Sequence, residues 1–314
     1  MYYEALDNWL SRPANRVVGV PISHKENADE LCFIEKVSNS TFNHDTVIFT
    51  NPFSFGDKYP DEDYMSKYSS FHENYQLISE ANMAAVAMLA ILENLDKFNN
   101  IKHLFLTDIT QRCSEVSYIR AANEFFILEK LPQLKSFGIR AGSDRMKHPC
   151  VHDNLEYIEI QTVNLQDSFV DWLEEDTLIP NLKSLIIHPA ANRDWFSSFE
   201  ENEYGFWTKD TLAQFLNKSK YKLNEVGLCN IEWDLDIQDI IVKAKMPMKI
   251  LDLSCSTINS EELDALMKLR EFDKVICNYT YVEKDKLDNP NKVIIEKTRD
   301  YPVRKDWRYT MHAE

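Results

Sequence analysis

Three groupings in this chain have the residue types that do chemistry. His148, Cys150 and His152, in the run HPCVH, offer two imidazoles and a thiol, a donor set that suits zinc. Their i, i+2, i+4 spacing matches none of the usual zinc patterns and no second ligand pair follows, so packing in a loop is the expected role. Asp108 and Glu115 would act as a general acid and base only across a cleft that raised one of their pKa values. Nothing around them indicates such a cleft, and a turn or helix-capping role for Asp108 with a solvated or salt-bridged Glu115 is expected. The run EVGLCNIEWDLDIQD, Glu225 to Asp239, is rich in carboxylates and has no basic residue. It lacks the turn glycine and the ligand spacing of a calcium loop, so it reads as an acidic surface strip along a strand exit and a helix start. The chain has six glycines, no phosphate-cradling glycine loop, and neither GxSxG nor HExxH. No catalytic residue, metal or cofactor is therefore assigned, and enzymatic activity is the lesser expectation.

What remains is the chemistry of a surface, and that depends on the elements that display it. An apolar-x-x-apolar-x-apolar step recurs at Ile101/Leu104/Leu106, Leu134/Phe137/Ile139, Leu155/Ile158/Ile160, Leu182/Leu185/Ile187, Leu223/Val226/Leu228, Met248/Leu251/Leu253 and Phe272/Val275/Cys277. The first members are 33, 21, 27, 41, 25 and 24 residues apart, the spacing of leucine-rich repeats with two insertions. Between copies the apolar period lengthens to that of a helix, as in residues 117–131, 165–173, 208–219 and 259–269. Asn259 or Ser260 ahead of Glu261 and Glu262 marks a helix start. One strand-helix unit has no partner for its apolar edge, whereas stacked units share a core. The fold expected is an α/β leucine-rich-repeat solenoid with a curved parallel sheet on the concave side and helices on the convex side.

Terminal repeats of such a stack need caps. Residues 1–76 read as an acidic and aromatic N-terminal capping segment, with strands expected near 15–21 and 45–50 and a long ordered loop over 51–75. Residues 77–314 read as the solenoid, opening with a buried helix over 77–95. It carries an insertion at 189–210 and a C-terminal cap from about 288, with a closing strand at 291–298. The whole is expected to form one continuous domain.

Residues between the core positions of each strand project onto the concave face. One row is Phe105, Gly138, Glu159, Ile186, Gly227, Asp252 and Ile276, flanked by a row containing Arg140, Gln161 and His188 and another containing Tyr157. Their mixture of aromatic, polar and charged groups suits a protein surface more than a phosphate. The alternative is a face merely solvated, or covered by the insertions. The insertion itself holds Trp195, Phe196, Tyr204 and Trp207, typical anchor residues of an interface, unless they fold back onto the solenoid. Cys229, Cys255 and Cys277 fall beside strand ends, where packing is the expected role.

The formal charge of -16 argues against nucleic acid and, if charge matters, for a basic protein partner. Residues 1–100 carry half of it, with 15 acidic against 7 basic residues. Six scattered cysteines without a CxxC pair fit a reducing compartment. With no signal-like N-terminus and no apolar run long enough to span a bilayer, a cytoplasmic protein not bound to membrane is expected.

The segment LFLTDITQRCSEVSYIR, through Asp108, Ile109, Glu115, Tyr118 and Ile119, resembles a family of uncharacterised bacterial cytoplasmic leucine-rich-repeat proteins. Leu131 to Gly142, Lys249 to Ser254 and the end DWRYTMHAE are also similar, so that the resemblance covers roughly residues 80–314. Thr107-Asp108 stands where that family more often has Gly-Asp. The resemblance implies a solenoid, with some relatives encoded beside radical-SAM and ATP-grasp enzymes, and it transfers no catalytic residue. Together these readings expect a non-catalytic scaffold, adaptor or inhibitor that binds a protein through the concave face and the aromatic insertion. The alternative is an accessory subunit or cryptic enzyme of a bacterial modification system.

Overall fold

The computed structural model describes residues 13–18, 37–51, 83–109, 124–140, 150–161, 178–188, 209–218, 221–229 and 231–296. The chain divides into two compact units, residues 1–155 with 312–314, and residues 156–311. The expected edge of the capping segment at 76/77 lies outside the described residues, as do the helix expected over 165–173 and the loop expected over 51–75 beyond Asn51, which is itself the last residue of a strand.

In the first unit, strands β1 (Asn15–Val18), β2 (Thr46–Asn51), β3 (His103–Ile109) and β4 (Ser136–Arg140) pair in chain order, each parallel to the next. Helices α1 (Met83–Leu92) and α2 (Glu124–Lys130) are threaded between them. Val47, Leu104 and Phe137 stand in register and are almost wholly buried, so the apolar step of one strand continues that of its neighbour. Asn15 ties the turn before β2, its Nδ2 donating to the carbonyls of His44 and Thr46 and its Oδ1 accepting from the amides of Asn43 and His44. Asp108 lies inside β3, opposite Thr50 just beyond a register shift, and not at a turn as its sequence context suggests. The apolar and polar pattern there is that of a strand prolonged by the irregularity in β2.

The second unit repeats the scheme with β5 (Tyr157–Gln161), β6 (Ser184–His188), β7 (Glu225–Leu228), β8 (Ile250–Asp252), β9 (Lys274–Ile276) and β10 (Val293–Ile294), again parallel and in chain order. Helices α3 (Lys209–Lys218), α4 (Leu235–Lys243) and α5 (Ser260–Leu269) connect successive strands. Leu185, Val226, Leu251 and Val275 form one buried column, and the residue three positions ahead of each, Leu182, Leu223, Met248 and Phe272, is buried as well. Such an α/β unit of parallel strands in sequence order is what a solenoid-like fold requires.

The last repeats also share geometry beyond their strands. Cys255 and Tyr279 sit at equivalent places and both adopt positive φ, 66° and 57°. The backbone then pairs turn on turn, Thr257 N donating to Ile231 O and Tyr281 N to Ile258 O. Asn259 caps α5 as its sequence indicates, with its side chain accepting from Glu262 N and the Glu262 carboxylate accepting from Asn259 N. Asp234 caps α4 by accepting from Ile237 N, which gives one carboxylate of the acidic strip a structural role.

Arg270, just past α5, closes the preceding repeat. Its guanidinium donates to the carbonyls of Ile241 (2.5 Å) in the last turn of α4, of the C-cap Ala244 (2.8 Å), and of Met246 and Pro247 (3.3 Å) in the loop that follows. A single planar cation thereby fixes one helix end against the next repeat. Replacing Arg270 with Ala is expected to cost about 2 kcal/mol, as charge-assisted bonds to part-buried carbonyls are lost. Urea denaturation would show it as a lower midpoint with an unchanged slope, and Arg270→Lys should recover only part of the loss.

Candidate functional site

Register decides which side chains meet. In the second unit it aligns Tyr157 with Ser184 and Glu225, Glu159 with Ile186, Gly227 and Asp252, and Gln161 with His188. Alternation along each strand puts all of these on one face, opposite the apolar columns. The rows expected from sequence are therefore present side by side, but this face is withdrawn from water. Glu159, Gln161, His188, Ser184 and Asp252 are all buried. They form a polar floor rather than a solvated surface.

Glu159 is the hub of that floor. Its Oε2 accepts from the Tyr157 hydroxyl at 2.7 Å, and its Oε1 accepts from Gln161 Nε2 at 2.9 Å and lies 3.8 Å from His188 Nε2. Burial, with the neighbouring Glu159 carboxylate and its hydrogen bond, holds the Tyr157 phenol well above the usual range, so this tyrosine donates and does not ionise. Gln161, 1% exposed, keeps its Oε1 without a donor among the described residues. On the next strand Ser184 Oγ donates to Glu225 Oε2 of β7 at 2.5 Å. Asp252 Oδ1 accepts from Ser254 N at 2.8 Å, and the Cys229 thiol reaches the Asp252 carbonyl at 3.8 Å.

Burial raises the Asp252 carboxyl above its ordinary range, helped by Glu225, although the bonds from Ser254 and Cys229 act against the shift. Among the described residues no lysine or arginine pairs with Asp252 or Glu225. Gly227 leaves room for the face to be built this closely. A β-carbon there would fall 2.7 Å from side-chain carbons of Ile186. The floor is thus an array of acceptors and carboxylates that favours a donor-rich cationic group.

The other expected site residues fall elsewhere. Phe105 is fully buried, its ring covering Gly138 so closely that a β-carbon at 138 would stand 2.2 Å from it. That ring is a packing element of the first unit and presents no surface to a partner. Arg140 ends β4, and its side chain lies outside the described residues, as do Trp195, Phe196, Tyr204 and Trp207 with the rest of the insertion up to 208. Of the HPCVH run, Cys150 and His152 are buried, the thiol pushed up to about 12 by burial and by Glu129. His152 Nε2 is engaged by the Leu131 carbonyl at 3.2 Å, and burial lowers its pKa. Among the described residues no group of three potential metal ligands converges. Cys229, Cys255 and Cys277 are free and buried, and burial raises the thiols of Cys229 and Cys277, which suits packing.

Sequence reasoning passed over one constellation in the first unit. His103 Nδ1 lies 2.8 Å from Ser136 Oγ, while its Nε2 is 4.0 Å from Asp45 Oδ2. The order of residue types is that of a nucleophile, base and orienting acid. Ser136 is buried, the acid is 60% exposed and beyond hydrogen-bond length, and the amides of His103 and Ser136 already serve the carbonyls of Asp45 and Lys102. This is a polar ladder across strand starts, legible only from register.

No protein-family model and no curated protein matches the chain. A solved structure of a Bacteroides fragilis protein, determined as a structural-genomics target, is similar in fold with a TM-score of 0.60 and 17% sequence identity, covering 86% of this chain and 71% of that one. No helix among the described residues is long and apolar enough to cross a membrane.

A carboxyl whose pKa is raised by folding costs stability wherever it is ionised in the native state. The cost is full above its folded pKa and disappears as pH falls to the ordinary aspartate range near ~3.9. Asp252→Asn keeps an acceptor for Ser254 N and removes the charge. Its melting temperature should exceed that of the wild type at pH 7, and the gap should close as the pH is lowered toward 4.

Proposed function

We propose that the chain is a non-catalytic protein-recognition module of leucine-rich-repeat type, and that the acidic face of its second unit, with the aromatic insertion, recognises a basic protein segment. The observation that carries this reading is the aligned floor of Glu159, Glu225 and Asp252 with Tyr157, Gln161 and Ser184, an acceptor-rich strip on adjacent strands. Strips of this kind select partners by charge and by hydrogen-bond geometry.

Support for the repeat type comes from the last three units, which follow the eleven-position repeat with one substitution. Leu223, Val226, Leu228 and Trp233 correspond to Met248, Leu251, Leu253 and Ile258 and to Phe272, Val275, Cys277 and Val282, all of them buried. The position usually held by asparagine or cysteine carries Ile231, Ser256 and Thr280. Thr280 does the asparagine's work in part, its Oγ1 donating to Cys277 O and accepting from Val282 N.

The raised Asp252 carboxyl favours one further reading, an accessory subunit or cryptic enzyme in which this acid transfers a proton. The two readings separate on one comparison. Affinity capture from the native host would use the intact protein, Glu159→Gln, and a variant lacking 192–203. Recognition of a basic segment predicts a retained partner that both changes weaken and that about 0.5 M salt releases. Retention insensitive to salt and to both changes would sink it.

A further inference from the structure

We propose that the cavity beyond the C-terminal end of α5 is a seat for an arginine side chain of a partner protein, held through its guanidinium as Arg270 is held at the end of α4. The inference does not rest on the recognition reading of the acidic face, since no residue of that face lines the cavity.

The repeat supplies its own precedent. Register sets Leu251 opposite Val275, so Met246 and Pro247 ahead of β8 correspond to Arg270 and Glu271 ahead of β9. Ile241 stands two residues before the end of α4, as Met267 stands two before the end of α5. Three of the four residues whose carbonyls hold the Arg270 guanidinium therefore have counterparts in the next repeat, at Met267, Arg270 and Glu271. Those three counterparts line a cavity of about 280 Å³, together with Leu269, Phe272 and Asn289. Acceptors remain there as well. The Arg270 amide donates to Leu266 O, and no donor among the described residues reaches the carbonyls of Met267, Lys268 and Leu269 in the last turn.

The following repeat brings no guanidinium of its own to this place. Val275 pairs with Val293, which passes the position of Arg270 to Asp288. Asp288 turns to Lys268 at 2.8 Å, and its neighbour Asn289 makes no capping bond with its side chain. A guanidinium fits this acceptor set for the reason that Arg270 fits the previous one: its planar fork serves several carbonyls at once, whereas an ammonium is a point charge. The negative end of the α5 dipole adds to the preference for a cation. Two lysines also line the cavity, but each is paired with a carboxylate, Lys268 with Asp288 and Lys292 with Glu271 at 3.4 Å. With both paired, neither is free to take the α-carboxylate of a free amino acid, which favours an arginine within a partner chain. Leu269, 60% exposed, offers apolar surface to the stem of that side chain.

The test is a titration of the full chain, labelled with nitrogen-15 and followed by amide NMR. N-acetyl-L-arginine amide should shift the signals of residues 267–272 and 289–292 saturably at about millimolar concentration. N-acetyl-L-lysine amide should bind at least about tenfold more weakly. Asn289→Arg places a guanidinium at the cavity from within and keeps the backbone bond from Lys292 N to residue 289, so the fold is expected to persist in its spectrum. In that variant the arginine compound should bind at least about tenfold more weakly than in the wild type. Equal binding of the two compounds, or binding unchanged by Asn289→Arg, would overturn the seat. Free L-arginine binding about tenfold tighter than its capped form would overturn the assignment to a partner chain. Neither the probes nor the variant involves Glu159 or the 192–203 segment, so capture through the acidic face is decided separately.

Discussion

Every strand of the second unit has to satisfy two faces. On one, the apolar columns from Leu185 to Val275 share a core with helices α3 to α5, which is the ordinary solution for a parallel sheet. On the other, the side chains are the half-buried Tyr157, and Glu159, Gln161, Ser184, His188 and Asp252, the last five withdrawn from solvent. A buried polar face is tolerable only if its groups find partners, because each orphaned acceptor or charge costs far more than a bond made adds. That requirement orders the rest: Tyr157 and Gln161 converge on Glu159, Ser184 turns to Glu225, and the Ser254 amide turns to Asp252. It also explains why Gly227 lies amid the floor, where a larger residue would displace Ile186 and spread the strands' side chains apart.

The strands were legible in the sequence because their signal is local. Two apolar residues separated by one, preceded at fixed distance by a third, describe a strand that begins from a buried turn, and all seven such steps lead into strands of the expected span. The cap at Asn259 was equally legible, since a capping box is written in four consecutive positions. Even the face rows follow from alternation once the steps are aligned. What alternation does not encode is whether a face meets water. Glu159 and Asp252 have the composition of a solvated surface, and only their placement among neighbouring strands reveals burial. The same blindness applies to Arg270, whose partners lie 23 to 29 residues back in the chain, and to the ladder of Asp45, His103 and Ser136. Phe105 was read as a binding residue because an aromatic on a projecting row is usually one. The absent side chain at Gly138 turned it inward instead.

A carboxylate buried against its own preference is seldom retained for stability, since an apolar residue of similar size packs there at no electrostatic cost. The floor contains such a group in Asp252, and a second carboxylate, Glu159, around which three neighbours are arranged. Stability alone does not account for that arrangement; on the recognition reading proposed above, an acceptor array pre-organised before its ligand arrives would lose little entropy on binding and reject any group unable to donate. The thiol of Cys229, raised by burial on the same face, adds no competing nucleophile there. The strand register itself thus sets Glu159, Asp252 and Glu225 on one face of adjacent strands, and on the proposed reading that face would favour cationic donors.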